Sequence, residues 1–234
     1  MPRISTAASH PPHFVINLDA GNGQTTITRY ISETLSKNEI RHFGGMDPFL
    51  EYILDGTMPQ LKQFFGDVRT CAVYTNSFEG VVAIDITALS KYANEAQTEF
   101  FLEEIKKVCR TATVILYTGG IPSRGVLSIV DKLKAAVRNI SIIHLDTYTP
   151  DELALIAERL LDEYGVSVDE SDDFHNALRE VVTMEACQTV RDTMAVTERA
   201  AKMADFSGYM PTLSTEQLKS AFTDVFASEK GEGR

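Results

Sequence analysis

Three nearly unbroken apolar runs, "GVVAIDI" (Gly80 to Ile86), "ATVILYTG" (Ala112 to Gly119) and "ISIIHL" (Ile140 to Leu145), constrain this chain more than any other feature. Each is too short for a core helix, and the first two are too uniformly apolar for a strand with one wet face. The stretches between them have helical period instead. Glu95 to Arg110 puts Phe100, Ile105, Val108 and Cys109 on one face, and Pro122 to Arg138 does the same with Val126, Ile129, Val130 and Leu133. Doubly buried strands alternating with helices imply a parallel sheet covered on both sides.

Upstream, "HFVINL" (His13 to Leu18) reads as a strand entering a Gly-containing turn, and Thr25 to Lys37 as the helix that follows. "IRHF" (Ile40 to Phe43) is a candidate strand, and Met58 to Phe65 a helix after "DGT". "TCAVYT" (Thr70 to Thr75) has strand composition, with a hairpin or an edge strand as the options.

Beyond Asp146 the pattern is all helical. "TPDE" (Thr149 to Glu152) combines a Thr N-cap, Pro at the first helical position and Glu three residues after the cap. Leu153, Ile156, Leu160, Leu161 and Tyr164 then share a face, and Gly165 ends the helix. Phe174, Ala177, Leu178, Val181 and Val182 mark a second helix. A third spans Ala186 to Asp205, and "STEQLKSAFTDVF" a short last one. The expected organisation is a flexible 1–12, an α/β domain over 13–146, a helical domain over 147–212, and a short helix with a disordered tail over 213–234.

The formal net charge is −11, with a pI near 4.9, which argues against phosphate-backbone binding and hence against nucleic acid as a partner. Cys71, Cys109 and Cys187 have no metal spacing and read as reduced, mostly buried residues. His10, His13, His42, His144 and His175 form no ligand pair. Nothing resembles a signal peptide or a membrane span, so the expected location is cytoplasmic. The acidic "DESDD" (Asp169 to Asp173) reads as an inter-helix loop and helix start.

The turn "NLDAGNGQTTITRYI" (Asn17 to Ile31) has the outline of a phosphate-binding loop. In that register Leu18 takes the first glycine's place, Gly23 the second, Gln24 the lysine's, and Thr25 follows. Gly21, Asn22 and Gly23 would turn backbone amides toward an anion, with Gln24, Thr25 and Thr26 at the helix start. Thr25 and Asp85, the acid ending "VVAID", are the candidate magnesium ligands. Thr118, after the next strand, is a further candidate contact to nucleotide. The lysine's full positive charge is missing, and Asp19 adds a carboxylate instead.

In order along the chain, these pieces resemble an AAA+ module. They resemble in particular the AAA+ branch that contains the red-type rubisco activase CbbX, the stage V sporulation protein K and the ATPases of type VII secretion. "HFVINLDAGNGQTTITRYI" is similar to the opening of that branch, and "DGTMPQLKQFF" to its "GxTAPKT" stretch. "GVVAID" is similar to its Walker B strand, "IIHLDTYTPDELALIAERLL" to its passage into the lid, and "CQTVRDTM" to part of that lid. The likeness runs from His13 to Asp205. It implies a five-stranded parallel P-loop NTPase fold with a small helical lid, and association into homo- or hetero-oligomers with AAA+ relatives.

Against that pattern the departures fall on chemistry. Gln24 replaces the Walker A lysine and Ile86 the Walker B glutamate. The arginine finger's place falls on Ala136, with Arg138 close by, and the sensor-2 arginine's on Cys187 or Gln188. One lost transition-state contact costs roughly a hundredfold to a thousandfold in rate, and an arginine finger is worth about 10³–10⁵. The expectation is therefore a pseudo-ATPase with no assigned catalytic residue and no resident cofactor. It would act as a subunit, adaptor or regulator through protein contacts, away from membranes. The alternatives are a divergent ATPase that remodels protein complexes, and a switch that binds ATP or ADP with magnesium without hydrolysis.

Overall fold

The structure, a computed structural model, describes residues 11–37, 49–75, 80–168, 172–184, 187, 189–208 and 210–229. They form two compact units. One holds the described residues up to Asp19 together with Gln24–Asp146; the other holds Ala20–Gly23 and the described residues from Thr147 onward.

The first unit runs β1 (His13–Asn17), α1 (Gln24–Lys37), β2 (Phe49–Ile53), α2 (Met58–Thr75), β3 (Val81–Asp85), α3 (Leu89–Tyr92), α4 (Glu95–Val108), β4 (Thr113–Tyr117), α5 (Arg124–Ala136) and β5 (Ile140–His144). Its strands form one five-stranded sheet in the order β2-β3-β4-β1-β5, parallel at every pairing. The expected five-stranded parallel α/β sheet is what the chain adopts. β3 and β4 are buried at every position, as unbroken apolar runs require. On one face Val82, Ile84, Val114 and Leu116 meet Phe64, Phe65, Phe101, Ile105 and Ile129. On the other, Val81, Ala83, Ile115 and Tyr117 pack with Ile16 and with Leu35 of α1. β5 is the sheet edge beside β1, and Ser141, Ile142 and His144 are exposed.

Two expectations change here. Thr70 to Thr75 is neither a hairpin nor an edge strand but the last turns of α2, which outruns the expected Met58 to Phe65. Leu61, Phe64, Phe65 and Val68 are buried at helical spacing, and this packed period carries the chain past the local strand preference of Val73 and Tyr74. The second strand is Phe49–Ile53, a segment read as no element; the candidate at Ile40 to Phe43 lies outside the described residues. β2 hides because it carries Glu51 at its centre and is apolar on only part of its length.

The second unit runs α6 (Pro150–Glu163), β6 (Ser167–Val168), α7 (Asp172–Thr183), α8 (Val190–Met203), β7 (Thr212–Leu213) and α9 (Thr215–Glu229). α6 opens with the capping box that "TPDE" announces: Thr149 Oγ1 accepts from Glu152 N–H, and Glu152 accepts from Thr149 N–H. Hydrogen bonds from Thr149's backbone and then its side chain hold the Glu152 carboxyl below the usual range. The helices enclose a second core around Leu153, Ala157, Leu161, Phe174, Val181, Val196 and Leu218. The parallel pair β6–β7 is too short to leave a sequence pattern. The last helix continues to Glu229, so Ala227 to Glu229 are helical where a disordered tail is expected; residues 230–234 lie outside the described residues. Among the described residues no helix is long and apolar enough to cross a membrane.

Candidate functional site

In the first unit the candidate residues gather where β1, β3 and β4 end, the side of a parallel sheet on which ligands bind in this architecture. β1 leads through a tight turn into α1. Gly21 and Gly23 have φ near +89° and +90°, the left-handed region that side chains disfavour. The strand–turn–helix context that a phosphate-binding loop needs is present.

The side chains are turned toward one another. Gln24 Nε2 donates to Asp85 Oδ2 at 3.3 Å, and Asp85 Oδ1 accepts from Thr87 N–H at 2.8 Å. Asp85 is only 7% exposed, so this partnership accounts for much of how its carboxylate is satisfied. Thr25 Oγ1 donates to Glu51 Oε2 at 2.9 Å. Glu51 arrives because β2 pairs with β3 in parallel, Glu51 opposite Ala83 and Ile53 opposite Asp85. Tyr117 Oη donates to the Gln24 carbonyl at 2.8 Å and lies 2.9 Å from Thr28 Oγ1, fastening the first turn of α1 to β4. Burial pushes the Tyr117 phenol up to about 12; the Thr28 bond works against that shift and the Glu51 charge adds to it.

Thr118 is buried, and its hydroxyl donates to Asn17 Oδ1 at 2.7 Å, while Asn17 Nδ2 contacts His144 Nδ1 at 3.2 Å. The hydroxyl thus ties the end of β4 to the end of β1. Asp19 Oδ1 accepts from Gly120 N–H at 2.8 Å. A side chain at Gly120 would put its Cβ 2.5 Å from Asp19 Oδ2, so the Asp19 carboxylate would have to shift. Thr26 is exposed. Ile86, at the Walker B glutamate's place, is fully buried in the core and cannot reach a water. Ala136 is exposed at the end of α5.

In the second unit the turn Ala20–Gly23 meets the start of α8. Asn22, itself buried, accepts from Val190 N–H through Oδ1 at 3.3 Å, and the Gly21 carbonyl accepts from Arg191 N–H at 3.0 Å. Thr189 Oγ1 accepts from Asp192 N–H at 3.2 Å. The first amides of α8 therefore have acceptors from the chain itself, which satisfies the groups that elsewhere attract an anion. A Cβ on Gly21 would lie 3.0 Å from Thr189 Oγ1 and 3.5 Å from Arg191 Cβ. Of the two sensor-2 positions, Cys187 is buried beside Thr193 and its thiol is pushed up to about 11 by burial; Gln188 lies outside the described residues.

Sequence reading missed Glu51, Tyr117, Asn17 and Arg191. Only Tyr117 and Asn17, both at strand ends beside the turn, had a positional signal. The first unit's side chains add negative, not positive, charge at these strand ends. Asp19, Glu51 and Asp85 bring three carboxylates, no described lysine or arginine pairs with any of them, and the Gln24 amide nitrogen already serves Asp85. Among the described residues no cluster of three or more His, Cys, Asp or Glu is placed to hold a metal.

No protein-family profile and no curated protein matches the sequence. Solved structures do match in fold. Domain III of the replication initiation protein DnaA from Thermotoga maritima is 13% identical with a TM-score of 0.52, over 94% of this chain and 86% of that one. The Aeropyrum pernix ORC1 protein, solved in complex with DNA, is 13% identical with a TM-score of 0.58, over 92% of this chain but only 59% of that longer one. A katanin structure is 15% identical with a TM-score of 0.54, over 92% and 72% of the two chains. These neighbours are AAA+ modules, and the chain has their fold.

Proposed function

We propose that this chain is a pseudo-ATPase on an AAA+ scaffold, acting as a non-catalytic subunit, adaptor or regulator within a protein assembly. The observation that carries the reading is Gln24 donating to Asp85: the residue in the lysine's place is an uncharged donor bound to the candidate magnesium ligand. Thr25 is likewise turned to Glu51, and the glutamate's place is a core isoleucine. Electrostatic preorganisation is usually the largest catalytic term, and here it has the wrong sign for a triphosphate. Within this reading residues 13–146 are the nucleotide-binding-like domain, 147–212 the lid, and 213–234 an appended segment. The likeness to the CbbX and sporulation protein K branch, a cytoplasmic location, oligomers with AAA+ relatives and no nucleic-acid partner belong to the same proposal. The net charge of −11 supports the last point.

A second reading, nucleotide binding without hydrolysis, is favoured by Arg191, whose Cβ approaches Gly21 and which no described carboxylate pairs. Gly21, Asn22, Gly23, Gln24, Thr25 and Thr26 would then cradle phosphates, with Thr118 nearby and Thr25 and Asp85 toward magnesium.

Calorimetric titration of the full chain with ATP and ADP, with and without magnesium, separates the readings. No heat of binding and no phosphate release are expected. Binding without release, weakened by Arg191→Ala, selects the second reading. Magnesium-dependent turnover abolished by Asp85→Ala would overturn both.

A further inference from the structure

At the opposite edge of the sheet, where β1 and β5 begin, the first unit holds a surface cavity of about 290 Å³ lined by His13, Lys106, Cys109, Arg110, Val137 and Arg138. Its floor is fixed. His13 is 3% exposed, and its Nδ1 accepts from Val114 N–H at 3.2 Å, so the ring's proton sits on Nε2. His13 N–H donates to the Asn139 carbonyl at 2.9 Å. Asn139 has φ of +62°, the left-handed conformation asparagine tolerates, and this turn leads Arg138 from α5 to the cavity's rim.

Three cationic residues therefore line one small cavity in a chain whose net charge is −11. Some other lysines and arginines find acids, as in Arg69 and Lys107 with Glu104, Arg199 with Asp224, and Lys219 with Glu180. Lys106, Arg110 and Arg138 pair with no carboxylate among the described residues. The helix ends nearby are a reason for some positive charge, since α4 and α5 both finish beside the cavity. Each C-terminus carries about half a negative charge, so two ends answer roughly one of the three cations. About two positive charges remain. A phosphate monoester carries about −1.5 to −2 at neutral pH, and paired guanidinium groups suit its oxygens.

We infer that this cavity is an anion site for the phosphate group of a small phosphorylated molecule, remote from the phosphate-binding-loop end of the sheet. The volume sits at the small end for ligand pockets, which suits a phosphomonoester of few atoms better than a nucleoside triphosphate. The inference does not rest on whether the loop of β1 binds nucleotide.

Glycerol 3-phosphate, inorganic phosphate and ATP, each titrated calorimetrically into the full chain at low and high salt, test it. So does the Arg110→Ala/Arg138→Ala variant, with Lys62→Ala on α2 as a control. Both arginines are exposed, so the variant should fold, and a melting curve checks that. The expected result is saturable binding of glycerol 3-phosphate, weakened at least tenfold in the double variant, weakened by salt, and unchanged in the control. Inorganic phosphate binding as tightly as the ester, and lost in the same variant, supports the site with the free ion as its ligand. No binding of either phosphate overturns the inference, as does binding that the double variant leaves intact. Loss of self-association in the variant without phosphate binding also overturns it, assigning the cations to contacts between copies.

Discussion

The two ends of β1 carry opposite charge. Where the strand finishes, Asp19, Glu51 and Asp85 stand among amides and hydroxyls, each carboxylate held by a neutral donor. Where it begins, Lys106, Arg110 and Arg138 surround a cavity over a buried histidine. In parallel α/β sheets the first end is the usual ligand crevice and the second is structural. Here the usual crevice has closed its polar groups on one another, and the opposite edge has the charge a phosphate needs. The fold fixes where loops converge; the side chains at each edge decide which one can bind an anion.

Two substitutions separate the ends by what each side chain supports. His13→Ala should have the larger effect, destabilising the chain by roughly 2–4 kcal/mol in chemical denaturation, because it strands the buried Val114 amide and leaves a void. A loss under about 1 kcal/mol would show that the histidine is not the floor described here. Gln24→Lys acts at the other end. Its ammonium would face Asp85 and supply the missing charge, about the worth of one charged hydrogen bond, so calorimetry should detect magnesium–ATP binding in the variant where the unaltered chain gives no heat. No gain would mean that the turn, and not only its charge, has lost the phosphate-binding shape.

How much of this was legible depended on local pattern. β3, β4, β5 and the helices between them announce themselves because their periods are clean, and the capping box of α6 is spelled out in four residues. β2 and the end of α2 were not legible. Glu51 interrupts β2's apolar run, and Val73 and Tyr74 have strand preference inside a helix fixed by packing upstream. The turn's departure at Gln24 was visible; its partner was not, because contact with Asp85 depends on strand order. The basic cavity was invisible for a related reason. Lys106 and Arg110 lie far along the chain from His13 and Arg138, and only the parallel register brings them to one edge.

The smallest effect sharpens the basic end. Cys109 lines the same cavity, yet burial alone pushes its thiol from 9.0 up to about 12. A guanidinium in contact with the sulfur would lower it. Iodoacetamide labelling of Cys109 at pH 8, followed by peptide mass spectrometry, should be roughly a hundredfold or more slower in the folded chain than in denaturant, because the thiolate is scarce. Arg110→Ala should leave that rate unchanged. The linkage has a definite sign. A thiol whose folded value lies above its unfolded value contributes fully below about pH 9, and its contribution is lost as the pH rises toward about 12. Cys109→Ser should therefore flatten the alkaline fall in stability and leave neutral pH free of any titration effect. A labelling rate that drops on Arg110→Ala would place the guanidinium against the sulfur and remove one of the charges counted for the cavity.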